Sequence, residues 1–418
     1  MNIPEQTKKI TVEFCRAFLG LVFVFSGFVK AVDPLGSAYK NQDYLSAFGL
    51  NLFDFSALPL AFIQIAVEFA MGVCLLLGIF RRFHSILFLA FMCVMTPLTL
   101  YLALENPVTD CGCFGDALII TNWQTFYKNI FLLAAALVVF FGYRQITSFY
   151  SRKSKFPVFF FAYAFILGVS FYCYTFLPIL DFRPYKIGAH IPELMSIPEG
   201  APEDEFETAL VYSKDGAERE FSIKDYPKGD SSWMYVDTRV KLIKKGYEPP
   251  IHDFVITTGE GDDITEDVLA NPSYTFLLIA HKLEKATDLR IDRINEIYDY
   301  SLRNNYGFYC LTSSSPDKIK EWKENTGAEY PVCTMDDIAL KTIIRSNPGL
   351  LLMKEGQIIN KWPDLRIPDE SALEKPLEDS GWGQIPSNHD GRNILLLTTV
   401  FIFLLLAIYL FDRQSRKK

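Results

Sequence analysis

The chain has 418 residues, half of them hydrophobic, and a formal net charge of −8 at pH 7. That length has room for two or three domains, and the acidic balance, without a polybasic stripe or a phosphate-cradling glycine loop, argues against nucleic acid as a partner. The five histidines and eight cysteines lack the spacing of a zinc or iron–sulfur site, so no metal is expected.

In chain order, apolar runs long enough to cross a bilayer fall at about 11–29, 58–80, 83–104, 125–143, 156–179 and 394–411. The first has no small-residue cleavage site and runs into Lys30-Ala31-Val32-Asp33-Pro34, so it reads as a retained helix rather than a removed signal. Basic residues gather before span one (Lys8, Lys9), between spans two and three (Arg81, Arg82), between four and five (Arg144, Arg152, Lys153, Lys155) and after six (Arg413, Arg416, Lys417, Lys418). With alternating spans all four clusters lie on one side, which is then cytoplasmic together with both termini. Residues 181–393 fall on the other side and carry 39 of the 49 acidic residues against 25 of the 41 basic ones.

The spacing predicts a bundle of four helices over 1–150, a fifth span over 151–180, and an interfacial loop at about 30–57 with an aromatic tail of Phe48, Phe53 and Phe55. Residues 181–249 read as an extended lead-in broken by Pro192, Pro198, Pro202 and Pro227, with short strands at 209–212 and 220–223 around Lys214-Asp215-Gly216. Over 250–365 the pattern becomes regular. Strands are expected at 274–280, 308–312, 349–353 and 357–362, and helices at 286–302, 316–326 and 336–344, with the last two strands forming a hairpin. This is a multi-domain protein, an α-helical transmembrane bundle plus an α/β domain, with 366–393 as a linker into the sixth span at 394–418.

The stretch with most chemical content is Asp110-Cys111-Gly112-Cys113-Phe114-Gly115-Asp116, between spans three and four. A Cys-x-Cys pair closes a small strained ring, which suits an electron relay better than a structural staple, and Gly112 gives the backbone the freedom such a ring needs. The flanking acids are expected to raise the thiol pKa values. A pair that merely holds a loop is the alternative. At about 1.5 Å per residue, Cys15, Cys74 and Cys93 lie too deep in their spans to reach the pair, and Cys173, roughly two turns from the end of span five, is the one candidate for a relay.

Glu68, with Gln64 one turn before it, is an acid near the middle of span two. An ionisable group there points to function, as a polar group of a quinone site or a proton relay, or else to a buried ion pair with Arg16 or Lys30. Cys310 and Cys333 are either a disulfide or two buried thiols. His252, His281 and His389 read as loop histidines.

The membrane half resembles the DoxX/MauE group of bacterial inner-membrane proteins. The resemblance is carried by Ser26-Gly27-Phe28-Val29-Lys30-Ala31-Val32-Asp33-Pro34, the Glu68 helix ending in Leu77-Gly78, and the Cys motif followed by Trp123, Lys128 and Asn129. It implies a membrane bundle tied to periplasmic redox maturation, and in some relatives to quinone-coupled oxidation of sulfur compounds. Residues 250–365 are similar to thioredoxin-like domains of the TlpA type, with Asn347-Pro348-Gly349-Leu350 at the place of that family's cis-proline. The departure is at the nucleophile, because Ala280-His281-Lys282-Leu283-Glu284-Lys285 replaces the Cys-x-x-Cys. The two-part arrangement also resembles DoxX proteins of Bacteroidetes.

Together these features imply an inner-membrane thiol–disulfide oxidoreductase acting through Cys111, Cys113 and Glu68, with Cys173 as a further relay. Its partners would be the lipid bilayer, a periplasmic protein client, and either a quinone or another membrane carrier. The competing reading is a non-enzymatic assembly or chaperone factor whose redox-dead thioredoxin-like domain grips a partner. A transporter would need an internal repeat or broken-helix pair, and none is visible.

Overall fold

A computed structural model describes residues 4–108, 110–214, 216–230, 232–244, 246–387 and 390–416. Asp215, His389, Lys417 and Lys418 lie outside the described residues.

The membrane part begins with α1 (Glu5–Val32), α2 (Pro34–Ala47), α3 (Ala57–Leu76), α4 (Arg81–Glu105), α5 (Asn122–Gly142) and α6 (Lys155–Thr175). α1 and α3 approach closely because small residues line their contact. A Cβ added to Gly27 would stand 2.6 Å from the Phe69 backbone nitrogen. Half of the expected interfacial loop is instead α2, a 14-residue helix. Its start is set locally, with Pro34 at the first helical position and Asp33 accepting a hydrogen bond from the Gly36 N–H at 2.9 Å. α5 opens on a capping box between Thr121 and Gln124.

After a short α7 (Ile191–Met195), three antiparallel strands form a sheet of their own: β1 (Glu205–Lys214), β2 (Ala217–Ser222) and β3 (Met234–Lys244), in the order β2-β1-β3. The lead-in expected there is therefore more regular than its prolines suggested. β3 shows no buried residue among those described, so no apolar stripe announces it.

The α/β domain follows with α8 (Thr265–Leu269), β4 (Tyr274–Ile279), α9 (Ile291–Arg303), β5 (Gly307–Thr312), α10 (Pro316–Thr326), β6 (Val332–Thr334), α11 (Asp337–Ile343), β7 (Gly349–Lys354) and β8 (Gln357–Pro363). Its sheet runs β6-β5-β4-β7-β8, with β4, β5 and β6 parallel and β7 antiparallel to both β4 and β8. Every residue of β4 is buried, because helices and segments cover both sheet faces. A βαβ unit joined to a hairpin, with a cis Asn347–Pro348 bond just before β7, is the thioredoxin-like arrangement. Cys310 and Cys333 are free buried thiols. Cys310 packs with Phe276 and Leu278, and Cys333 with Leu277 and Leu311, so the two lie on opposite sheet faces.

The segment expected as a linker is packed. Ile367, Leu373 and Leu377 bury in the domain core, and Trp382 stands 5.4 Å from Trp362. The chain leaving α6 is likewise bound to this domain. Asp181 pairs with Arg183 at 2.7 Å and Lys361 at 3.1 Å, and Lys361 donates to the Tyr185 carbonyl at 2.9 Å. α12 (Asp390–Ser415) returns the chain to the bundle. Among the described residues, α1, α4, α6, α12 and the runs containing α3 and α5 make six helices long and apolar enough to cross a membrane.

Candidate functional site

The loop between α4 and α5 is held from two sides. Asn122 of α5 donates to the Val108 carbonyl at 2.8 Å, and Tyr44 of α2 donates to the Cys111 carbonyl at 3.1 Å. Lys40 of α2 pairs with Asp110 at 3.0 Å, while the Gly112 N–H donates to Asp110 Oδ1 at 2.7 Å. Gly112 has φ +65°, and a Cβ there would meet the Lys40 side chain at 2.7 Å. This turn brings Cys111 Sγ and Cys113 Sγ to 2.9 Å, within hydrogen-bond reach.

Both flanking acids are themselves engaged by cations. Asp110 is engaged by Lys40 and its own loop, and Asp116 lies 3.4 Å from Arg345 of the α/β domain. The hydrogen bond between the two sulfurs, with Lys128 and Lys30, holds the Cys113 thiol below the usual range against the effect of burial. The same hydrogen bond, then burial, pushes Cys111 well above the usual thiol range. Lys128 sits with its Nζ 4.4 Å from the Phe114 ring centre.

Below the loop the α1–α3 contact places Lys30 Nζ 2.7 Å from Glu68 Oε1. Gln64 donates to the same oxygen at 3.0 Å. Ser26 Oγ lies 2.8 Å from Glu68 Oε2 and 2.7 Å from the Cys113 carbonyl, so its single proton serves one acceptor at a time. These groups border a cavity of about 280 Å³ whose walls include Phe23, Phe91, Met92, Met95 and Leu132, with Cys111, Cys113, Lys128 and Asn129 at its edge.

Of the residues singled out in the sequence, Cys111, Cys113 and Glu68 thus surround one cavity, and Lys30 rather than Arg16 partners Glu68. Arg16 pairs with Glu13 at 2.7 Å and donates to the Thr147 carbonyl at 3.2 Å. Cys173 is elsewhere, in an apolar cluster with Ala31, Ile65 and Phe69. Its height along α6 suits a relay, but height does not fix the side of the bundle it faces. Ser26 and Lys128 lay in motifs quoted for the resemblance, whereas nothing in the sequence marked Tyr44 or Lys40 as clamps.

Arg345, just before the cis-proline, reaches the bundle. Its Nε donates to Asp33 Oδ1 and Oδ2 at 3.0 and 2.9 Å and its Nη2 to Oδ2 at 2.8 Å, with the guanidinium 5.4 Å from the Tyr39 ring centre. Burial raises the Asp33 carboxyl, and Arg345 and Arg183 with the Gly36 N–H more than reverse it, so it titrates below the ordinary range. Beside this contact a seam cavity of about 240 Å³ is lined from the bundle by Lys30, Asp110 and Gly112 and from the domain by Lys341 and Arg345. The segment after β4 carries no thiol. His281 there is lowered to about 4 by burial and by Lys341, and it borders a third cavity of about 380 Å³ with Asn347, Tyr39 and Tyr174.

Residues 8–142 match the family described as methylamine utilisation protein MauE. That range takes in α1 to α5 and the Cys loop. Residues 206–245 match DUF8463, a domain of unknown function, which coincides with the three-stranded sheet. No curated protein matches the chain. Among solved structures, the chain is similar to a solution structure of a putative protein disulfide isomerase from Bacteroides thetaiotaomicron. The two are 20% identical, the match covers 26% of this chain and 73% of that one, and the TM-score is 0.22.

Proposed function

We propose that this chain is a membrane-linked thiol–disulfide oxidoreductase that matures an exported client through Cys111 and Cys113. The observation that carries this reading is the pair of thiols 2.9 Å apart over an apolar cavity that also holds the Lys30–Glu68 pair. The MauE match over residues 8–142 fits a membrane-linked redox or maturation role. Basic residues at one end of the spans favour the bacterial inner membrane, with the Cys loop and residues 181–393 periplasmic and both termini cytoplasmic.

In the oxidising direction, a client thiolate attacks the Cys111–Cys113 disulfide at Cys111 and displaces Cys113, whose lower pKa makes it the better leaving thiolate. The second client thiolate then attacks the client sulfur of the mixed disulfide and releases Cys111. The client leaves with a disulfide, and the pair is left with two electrons and, once protonated, two protons. A quinone would take up those two electrons and two protons, leaving the pair again as a disulfide. The residues fit such a group, because the aromatic and methionine walls suit a ring while Lys30, Gln64 and Asn129 offer donors. Lys30 and Lys128 stabilise the Cys113 thiolate, and Ser26, which donates to Glu68 or to the Cys113 carbonyl, ties the Cys loop to the buried pair. Cys173 is given no part.

The test is to trap free thiols in intact cells with a membrane-impermeant maleimide, with and without prior reduction, and to read the Cys111–Cys113 peptide by mass. A mixed redox state that changes with growth condition supports the carrier. A pair that is always oxidised or always reduced opposes it.

The absence of a thiol at Ala280–Lys285 favours a second reading, an assembly factor in which the thioredoxin-like domain binds a partner without redox chemistry. Full function in a Cys111→Ser/Cys113→Ser variant would select it.

A further inference from the structure

We infer that Arg345 and Asp33 form a latch that determines which thiols reach Cys111 and Cys113. With the α/β domain latched, the pair is closed to a folded protein, and release of the latch opens it. The inference rests on the proposed function only in taking a protein as the client.

Three observations converge. Cys111 is 8% exposed and lies under Tyr44, with Lys40 beside it. The side chains of Arg345 and Asp33 are 7% and 18% exposed, so a bidentate pair largely removed from water joins domain to bundle, and the same guanidinium reaches Asp116 of the Cys motif. The seam around that contact is not close-packed, because its cavity of about 240 Å³ extends to Gly112. That space suits a small thiol reagent and is far too small for a folded client.

The chain also shows where the domain would swing. Asp181, Arg183, Lys361 and Tyr185 bind the segment after α6 to the α/β domain. Arg183 further donates to the Thr342 carbonyl at 3.0 Å. The bend on release therefore falls between the end of α6 at Thr175 and Asp181. Latch strength then acts as a selector. A client must shift the domain before its thiolate can approach Cys111, whereas a small thiol need not.

The experiment uses the full chain, reduced, in its own membrane, and a polyethylene-glycol maleimide of several kilodaltons beside a small impermeant maleimide. The quantity read is the labelling rate at Cys111 and Cys113 divided by that at Cys310 and Cys333, which are buried in the domain core and report unfolding. Asp33→Asn keeps the side-chain oxygen that caps α2, and Arg345→Gln approaches the same pair from the other side. With the large probe, each variant is expected to raise the ratio about tenfold, the change that ~1.4 kcal/mol of latch energy produces, and the double variant to go no further. The inference is overturned if neither ratio rises, if the two effects multiply, or if the large probe labels the wild-type pair as fast as the small one does. A rising ratio in a protein whose Cys pair transfers no electrons keeps the latch and removes the redox reading.

Discussion

Lys30 Nζ stands 2.7 Å from one oxygen of Glu68 and 2.8 Å from the other, with the two side chains 6% and 5% exposed. Gln64 and Ser26 complete the shell around the carboxylate. Two charges taken out of water are tolerable only when their attraction and their hydrogen bonds are both realised, and here both are. The pair lies beneath the Cys loop, so the feature that steadies α1 on α3 also places a charge-bearing polar group at the cavity bordered by Cys111 and Cys113.

Glu68→Gln leaves the Lys30 ammonium buried without its counter-charge, and Lys30→Met does the converse. Each is expected to cost on the order of 3–5 kcal/mol of stability. The double change Lys30→Met/Glu68→Leu should cost less than either single one. Loss of helical signal on heating the detergent-solubilised protein measures this, and additive losses would deny that the two charges act as a pair.

Gly27→Ala forces a Cβ to within 2.6 Å of the Phe69 backbone, and the backbone cannot turn aside as a side-chain tip can. A loss of about 1–3 kcal/mol is expected, the usual effect of overpacking. Gly168→Ala in α6 is the control, since its Cβ meets nothing within 4 Å. It should be neutral or stabilising, and equal losses at both positions would contradict the close α1–α3 contact.

The six spans were legible because an unbroken apolar run of that length matches the bilayer core and exceeds what an ordinary buried helix needs. The four principal strands of the α/β domain were legible from their continuous apolar runs. α2 was not, since its start depends on the Asp33 cap rather than on apolar periodicity, and β3 was not, since it buries no described residue. For the site, Glu68 was marked by the cost of a mid-span acid and Lys30 by its height. Cys173 shared that height and was still misplaced as a neighbour of the pair, because position along a helix leaves its azimuth open. Arg345 was invisible because its partner lies 312 residues away in sequence.

Cys113 should alkylate with a midpoint below the ordinary thiol value of 9.0, because its thiolate is hydrogen-bonded to Cys111 and faces Lys128 and Lys30. Cys111→Ala removes that bond and Lys128→Met removes a cation, so each should move the midpoint upward toward the ordinary thiol value of 9.0. Rates of iodoacetamide modification against pH, read by peptide mass, measure the shift. A midpoint insensitive to both substitutions would contradict this electrostatic arrangement.

The latch should respond to acid and not to mild changes of pH. Asp33 faces Arg345, Arg183, Tyr39 and the Gly36 N–H, and its carboxyl is held below the ordinary 3.8. Asp181 is depressed likewise by Lys361 and Arg183 against the effect of burial. A carboxylate depressed in the folded state contributes stability that is present above its unfolded pKa and lost as pH falls through its folded one, so access of the large maleimide should stay level from about pH 5 to 7, below the pH near 8 to which burial lowers Lys361, the partner of Asp181. Opening should begin only below the ordinary aspartate value. Burial pushes Asp116 the other way, so any slope above that range should vanish in Asp116→Asn.

The most direct measurement takes the full chain in isolated membranes with Cys111 and Cys113 reduced, and adds a short-chain quinone. Differential alkylation and peptide mass then count thiols at Cys111 and Cys113 against quinone consumed. The expected result is one Cys111–Cys113 disulfide for each quinone reduced, with none formed in Cys113→Ser. Two thiols that remain reduced in the presence of quinone, or quinone consumption that is the same in Cys113→Ser, would contradict electron transfer through this pair.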